Sequence, residues 1–399
     1  MRKSIFALTI AAFGIGTSEY VIMGLLPDLA DSFRISIPKA GIIVSAYALS
    51  VTFGSPLIAL ALSKAERKRS LIILMSIFLI GNLCCAFSPN FFFMLAARIL
   101  TALCHGAFFG TGSIVAANLV PREKRAQAIT TMFSGLTLAN VLGVPAGTAL
   151  GHAFGWRSTF IALIPIGLIA MAGLIFWVAP QKSEPVRLRH EFNTLLNPKV
   201  LLVLALSTLS SVSLFTVFTY IAPILTAVTH LPAQSTAWVL VLFGVGITIG
   251  ILIGGRLSDW RQMTTVVGGY ILVTLILLIM PLTMPHAMAM AACVLTWGMF
   301  HFGASAPLQA RIVEKARRAP NLASTLNQGA FNLGNALGAS LGGIVLAAGY
   351  SYSILPLVGA LIASIVIAIA FLAIRLDSTR VSDPDLVLLY EDGSPVHKS

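Results

Sequence analysis

The sequence predicts an all-α polytopic membrane protein with twelve transmembrane helices, arranged as two six-helix halves with both termini in the cytoplasm. Three observations support this fold class. The 399 residues are 57% hydrophobic and only 10% charged, long uncharged runs recur along the chain, and the basic residues cluster in alternate loops. An apolar run of about 20 residues is long enough to cross a bilayer as a helix. A β-barrel would show short segments of alternating polarity, and these runs do not alternate.

Twelve apolar segments follow one another along the chain. They cover approximately residues 5–26, 40–62, 71–88, 91–119, 127–150, 157–179, 199–226, 234–255, 264–284, 287–310, 322–347 and 352–374. Arg2 and Lys3 precede the first segment, as they would in a signal peptide. That segment is too long for a signal sequence, contains Glu19 and lacks a small-residue cleavage site, so we expect it to remain as the first transmembrane helix.

The basic residues set the orientation. With the N-terminus inside, 22 of the 26 basic residues fall on the inner side, whereas only Arg34, Lys39 and Arg157 fall outside and Arg98 lies within segment four. Positive charge accumulates on the cytoplasmic side of membrane proteins, which explains the formal net charge of +12 without a nucleic-acid partner. The longest polar interruption then divides the chain into a first half (1–180), a cytoplasmic linker (181–198), a second half (199–375) and a disordered cytoplasmic tail (376–399).

An internal repeat relates the two halves. Small residues at spacing four in segment five recur in segment eleven at an offset of 195: Gly135, Ala139, Gly143 and Gly147 correspond to Ala330, Gly334, Gly338 and Gly342. Asn140 corresponds to Asn335 in the same way, and His105 corresponds to His301 at an offset of 196. Small residues on one helical face allow a close backbone approach, so we expect these stripes to be contact surfaces as the halves move. Parallel repeats of this kind are typical of transporters that rock around a central cavity.

Three motifs resemble those of the major facilitator superfamily, and within it the twelve-span bacterial drug:proton antiporters. The stretch from Gly135 to Gly147, with Pro145, resembles the antiporter motif of segment five, although Ala139-Asn140 stands where the family often has Gly-Pro. The resemblance covers about residues 1–375. It is nearest to the arabinose-efflux-permease-like group and to the sugar and chloramphenicol efflux proteins.

The other two motifs lie after segment eight and in segment four. Gly255-Arg256-Leu257-Ser258-Asp259 resembles the G-x-L-x-D conformational latch, whose first-half counterpart has Ser63 in place of the acid. Arg98, with Gly106 downstream, resembles the motif whose arginine is linked to proton transfer in this family. The resemblance implies a multi-pass protein of the bacterial inner membrane, with no enzymatic activity and no cofactor.

Glu19 is the only acidic residue in any predicted segment. A carboxylate in the hydrocarbon region is costly unless it is protonated, paired or facing water. It could serve folding alone, through neighbours such as Ser18 or Tyr20, but we favour a proton carrier. The family's habit of placing a functional acid in this helix supports that role.

Arg98 and His105 complete the predicted proton-coupling group. Arginine stays charged, so Arg98 could tune a carboxylate or bind a polar substrate, or it could extend towards the membrane interface. Histidine can exchange a proton near neutral pH, although a histidine in a membrane helix can also be a hydrogen-bonded packing residue.

Polar and aromatic side chains from both halves are predicted to form the substrate surface. They are Tyr47, Asn140, Phe215, Tyr220, Trp297, His301, Gln328 and Asn332. A separate group is predicted to act in conformational change: Gly135, Gly143, Pro145, Gly147, Gly255, Asp259, Asn335 and Gly338.

The predicted function is proton-coupled efflux of a small organic molecule, such as a sugar or a drug, by alternating access. An uptake symporter or facilitator is the main alternative, and a membrane receptor or sensor is a further one. The sequence has no H-E-x-x-H, G-x-S-x-G or phosphate-loop motif, which argues against a membrane enzyme, and its four cysteines lack metal-ligand spacing. The expected partners are the substrate, protons and the lipid bilayer, with the chain acting as a monomer.

Overall fold

The structure is a computed structural model that describes residues 2–181, 197–316 and 320–378. Residues 182–196 of the predicted linker and residues 379–399 of the predicted tail lie outside the described residues. Within the described part, eleven helices are long and apolar enough to cross a membrane. One of these crosses twice, which gives the twelve predicted spans.

The first six spans form the first half. Their bounds are Arg2–Gly24 for span 1, Ile37–Leu49 to Ser55–Ala61 for span 2, Arg67–Ala86 for span 3, Phe91–Asn118 for span 4, Arg125–Leu138 to Val144–Phe154 for span 5 and Trp156–Trp177 for span 6. A short helix, Leu26–Phe33, follows span 1 on the outer side. Spans 2 and 5 each contain a π-helical turn at their middle, Ser50–Gly54 and Ala139–Gly143.

The second six spans form the second half. Their bounds are Pro198–Phe218 and Ile221–Ala227 for span 7, Ala233–Thr283 for spans 8 and 9 together, Ala287–Lys315 for span 10, Pro320–Ala347 for span 11 and Ile354–Ser378 for span 12. The helix Ala233–Thr283 has 51 residues and would be about 75 Å long if straight, far more than one bilayer needs. Its backbone leaves the helical conformation at Arg261 (φ −147°, ψ 84°), which separates span 8 from span 9.

The stripes of small residues join helices within each half. A Cβ atom on Gly135 would meet the main chain of Thr9 and Phe13 in span 1, and one on Gly338 would meet the main chain of Val212 and Thr216 in span 7. The expectation that these stripes form the moving surface between the halves is therefore wrong. The small-residue faces of spans 5 and 11 lie against spans 1 and 7 of their own halves, and glycine is needed where backbones come that close.

The two halves meet at the outer ends and the middle of spans 2, 5, 8 and 11. Ser340 donates a hydrogen bond to Ser45 across the halves (Oγ to Oγ, 3.0 Å), and Thr52 donates to the carbonyl of Gly329 (3.3 Å). Gly244 of span 8 fits against the main chain of Asn140 in span 5. The described conformation is therefore closed towards the outside.

Candidate functional site

Glu19 lies at a small cavity between the two halves. Side chains from spans 1, 2, 4, 7 and 11 line it: Glu19, Met23, Val44, Tyr47, Ala48, Arg98, Phe215 and Asn335. The cavity volume is about 10 Å³, which is room for about one water molecule. A larger molecule can enter only if the halves separate, so this is the closed form of the site.

Span 1 carries Glu19 into this cavity because the glycine-rich face of span 5 lets the helix sit close beside it. At Gly16 an added Cβ would lie 3.0 Å from the Cβ of Ala139 in span 5. Glu19 is 5% exposed. The acid is therefore buried yet borders the space between the halves.

Arg98 is fully buried and is held by Ser18 and Glu19 of span 1. Its Nη1 donates to the main-chain oxygen of Ser18 (2.8 Å) and to Ser18 Oγ (3.2 Å), and its Nη2 donates to the main-chain oxygen of Glu19 (3.4 Å). The guanidinium carbon lies 4.1 Å from the centre of the Tyr47 ring, a cation–π geometry. The guanidinium thus remains inside the protein rather than extending to the membrane interface. Its hydrogen bonds go to two main-chain carbonyl groups and the Ser18 hydroxyl, which leaves the Glu19 carboxylate open to other partners.

His105 stands between Glu19 and Tyr47. Its Nδ1 atom is 3.2 Å from the Tyr47 hydroxyl and 3.8 Å from Oε2 of Glu19. Its ring also lies against Phe109, with ring centres 5.1 Å apart. The three residues predicted to couple protons therefore meet at one place, together with one residue predicted to bind substrate.

Asn82 of span 3 supports this group, although the sequence reasoning missed it. Ser18 Oγ donates to Asn82 Oδ1 (2.9 Å), and Asn82 Nδ2 donates to the main-chain oxygen of Phe78 (2.8 Å). Asn82 is fully buried, and it holds Ser18, which in turn accepts from Arg98. An amide inside an apolar segment needs a hydrogen-bond partner. The presence of Asn82 in segment three could therefore have indicated a buried polar contact between helices.

Of the predicted substrate residues in the second half, Phe215 reaches the cavity, and its ring centre is 6.2 Å from that of Tyr20. Asn335, predicted to act in conformational change, lines the same cavity. Both contribute from the second half, whose predicted apolar segments contain no acidic residue. The cavity is thus formed jointly by the two halves.

Tyr220, Trp297 and His301 are absent from the cavity lining among the described residues. The Tyr220 hydroxyl donates to the main-chain oxygen of Ala339 (2.8 Å), and the Trp297 ring lies 5.4 Å from that of Phe243. His301 meets the edge of the Tyr270 ring with centres 5.8 Å apart. In this conformation Trp297 and His301 fill the core of the second half, whereas the Tyr220 hydroxyl also lies against Gly41 of span 2 in the first half.

Asn140, Gln328 and Asn332 bond to their own helices. Asn140 Nδ2 donates to the carbonyl of Leu136 (3.0 Å), and Asn332 Nδ2 donates to the carbonyl of Gln328 (3.0 Å). They are likewise not among the described residues that line the cavity. Their predicted contact with substrate remains a prediction for a conformation in which the halves have separated.

The residues predicted to act in conformational change lie at the contact with span 1, at the π-helical turn of span 5 and after span 8. Gly143 and Gly147 lie against Thr17 and Val21 of span 1. Pro145 follows the π-helical turn of span 5, where its ring would clash with a carbonyl in a regular helix. In the third place, after span 8, open space surrounds Gly255, and Asp259 is exposed and forms no salt bridge with another described residue.

Twelve spans in two halves around a shared cavity define a membrane transporter of the parallel-repeat class. The model of the Major Facilitator Superfamily matches residues 8–324, and the chain belongs to this family. It is 44% identical over 373 residues to the inner membrane transport protein YdhP of Escherichia coli (strain K12), covering 93% of this chain and 96% of that protein. It is 32% identical over 345 residues to a chloramphenicol resistance protein of Streptomyces lividans, covering 85% and 88%.

A solved structure shows the same fold. A bacterial homologue of the human lysosomal transporter Spinster, in an inward-facing and unoccupied conformation, superposes with a TM-score of 0.74 at 16% identity, covering 93% of this chain and 96% of that one. Family membership and the similarity to an inner membrane transport protein make the chain a multi-pass transporter of the bacterial inner membrane and not an enzyme. A small-molecule substrate and the lipid bilayer are its partners.

Proposed function

We propose that this protein exports a small organic molecule in exchange for protons and that it acts as a monomer. The observation that carries the proposal is the buried carboxyl group of Glu19 at the cavity between the halves. An ionised carboxyl group is destabilised by burial unless it binds a proton or an oppositely polarised partner. A proton and a polar substrate therefore compete for Glu19. Competition for one site links the flux of protons to the flux of substrate.

The surroundings of Glu19 suit this exchange. Arg98 places a permanent positive charge near the carboxyl group, while its own hydrogen bonds go to main-chain oxygens and the Ser18 hydroxyl. Glu19 can therefore give up its proton without leaving an isolated negative charge in the membrane. Inward movement of one proton supplies about 2.3 kcal/mol per 100 mV of membrane potential.

The lining of the cavity favours an amphipathic cargo. Met23, Val44 and Phe215 offer apolar contacts, whereas Glu19 and Asn335 offer polar ones. A molecule with an apolar body and a few polar groups fits this mixture. A drug of the chloramphenicol type, which the Streptomyces lividans relative is named for, and a small sugar are the two classes to test first.

The test uses everted membrane vesicles that are acidified inside by respiration. Radiolabelled chloramphenicol and a labelled pentose are added in turn, and their accumulation is followed together with the internal pH. We expect accumulation of one of them with a partial collapse of the pH gradient. We also expect Glu19→Gln to abolish both, because an amide cannot carry the proton.

Glu314→Gln is the matched control, since that acid is exposed on span 10, and we expect wild-type transport from it. Concentrative export that persists in Glu19→Gln would overturn the proposed role of Glu19. Accumulation in right-side-out vesicles acidified outside, with none in everted vesicles, would instead indicate an uptake symporter.

A further inference from the structure

One nitrogen atom faces two partners in the centre of the first half. Nδ1 of His105 lies 3.2 Å from the Tyr47 hydroxyl and 3.8 Å from Oε2 of Glu19. A ring nitrogen of a neutral histidine either carries a hydrogen or offers a lone pair, and it cannot do both. It therefore cannot accept from Tyr47 and donate to Glu19 at the same time.

The protonation state of Glu19 decides between these two contacts. An ionised carboxylate only accepts hydrogen bonds, so it stabilises the tautomer of His105 that carries a hydrogen on Nδ1. In that tautomer the Tyr47 hydroxyl loses its acceptor. A protonated carboxyl no longer needs that hydrogen, and Nδ1 is then free to accept from Tyr47. The remaining charged group near His105 is Arg98, which keeps its charge in both states.

Tyr47 belongs to the part of span 2 that touches the second half. Ser45, two residues before it, bonds to Ser340 of span 11, and Thr52, five residues after it, bonds to Gly329 of the same span. A change in the hydrogen bond of Tyr47 therefore acts on a stretch of helix between two contacts that cross the halves.

We propose that Tyr47 is the positioning residue that couples the protonation of Glu19 to the contact between the halves, because its hydroxyl competes with the Glu19 carboxylate for Nδ1 of His105. The inference rests on the proposed function, in which Glu19 is the proton carrier. The described structure has the shorter contact to Tyr47, and its halves meet at their outer ends. In this proposal, protonation of Glu19 therefore stabilises the conformation that is closed to the outside.

The second half provides a matched control for this arrangement. Tyr270 meets His301, the repeat counterpart of His105, at 5.8 Å and 80°, close to the 6.0 Å and 80° between Tyr47 and His105. The Tyr270 hydroxyl, however, bonds to Ser210 and Ser305 instead of the histidine ring. The ring geometry is thus shared, but among the described residues a carboxylate faces the histidine ring only in the first half.

The test needs no substrate, because the proton itself is the probe. Spin labels are placed on cysteines at Ser32 and Gln234, two exposed outer positions in different halves. The background carries Cys84→Ser, since the other three native cysteines are buried. The distance between the labels is then measured in lipid nanodiscs from pH 5 to pH 9, where we expect the wild type to open on the outside as the pH rises.

Tyr47→Phe removes the hydroxyl but keeps the ring over Arg98. We expect its opening transition to move to lower pH by about 0.7 pH unit, a fivefold change in proton affinity, which corresponds to the loss of one ordinary hydrogen bond. Tyr270→Phe should keep the wild-type midpoint. A wild-type midpoint in Tyr47→Phe, while Glu19→Gln has lost the transition, would overturn this inference and leave the proposed function standing. Persistence of the transition in Glu19→Gln would overturn the proposed function itself.

A second variant checks that Tyr47 acts through His105. In His105→Asn the amide presents a donor and an acceptor together, so both partners can be satisfied at once. Adding Tyr47→Phe to this background should produce no further shift of the midpoint. An added shift as large as that of Tyr47→Phe alone would mean that Tyr47 acts independently, and the inference would fail.

Discussion

The contact between span 5 and span 1 offers a direct test of why small residues recur at spacing four. In Gly135→Ala the new Cβ would lie 2.9 Å from the main-chain nitrogen of Phe13 and 2.9 Å from the Cβ of Ala12, and it would also press on the carbonyl oxygen of Thr9. Carbon atoms normally pack at about 3.5–4.0 Å. Two of these three contacts are main-chain atoms, so no side chain can rotate away, and the two helices must separate by roughly 1 Å.

Gly110→Ala is the control for this substitution. Gly110 lies in span 4 and has no atom within 4 Å of the position of an added Cβ. Both changes add the same methyl group to a helix, and both gain up to about 1 kcal/mol of helix propensity. The difference between the two variants therefore measures the close approach alone, which we expect to be about 1–3 kcal/mol.

The assay is thermal unfolding of the purified protein in detergent, followed by loss of the monodisperse peak after heating. We expect Gly135→Ala to lose the folded state on the order of 5 °C below Gly110→Ala. The displaced span 1 also carries Glu19, so proton-driven transport should fall in the same variant. Equal unfolding temperatures for the two variants would refute the close-packing argument.

Two further predictions concern buried and clustered charges. Arg98→Lys keeps the charge but loses the planar guanidinium that bonds to two main-chain oxygens and covers the Tyr47 ring. We therefore expect transport in everted vesicles to fall about tenfold with normal membrane insertion. A wild-type transport rate would contradict this prediction. Asp377 joins Arg311 (2.5 Å) and two lysines at the inner ends of spans 7, 10 and 12. Asp377→Asn should therefore lower the unfolding temperature by about 2–4 °C at low salt and by less at high salt. Asp259→Asn, which changes an exposed carboxylate, should leave the unfolding temperature unchanged. An equal drop in unfolding temperature in both variants would contradict a stabilising role for the charge cluster around Asp377.

The positions of the helices could be predicted from the sequence because a bilayer imposes a length and a polarity on every crossing. The boundary between spans 8 and 9 illustrates this. One helical stretch runs from Ala233 to Thr283 with a single interruption at Arg261, and the predicted break near residues 256–263 coincides with it. The charged loop between two apolar runs had to leave the membrane, whatever its local backbone conformation.

The sequence also singled out Glu19, Arg98 and His105 in the first half, and their role in proton coupling remains a prediction. Glu19 was conspicuous because a lone acid in an apolar helix is costly, and the structure places it beside Arg98 and His105. The second half was harder to predict, since Tyr220 and Trp297 are packing residues in the described conformation. Aromatic side chains line cavities and fill cores equally well, so their type alone does not distinguish the two.

The sequence by itself determined the twelve crossings, their orientation, the repeat and the unusual acid of span 1. These features follow from the cost of placing charge and unpaired polar groups in hydrocarbon, a cost that each segment meets independently. Only the tertiary structure decided that the glycine stripe of span 5 faces span 1, that Asn82 holds Ser18, and that Tyr47 and Glu19 face the same nitrogen of His105. Those outcomes depend on how far each helix is rotated about its axis, and that rotation is fixed by the packing of all its neighbours together.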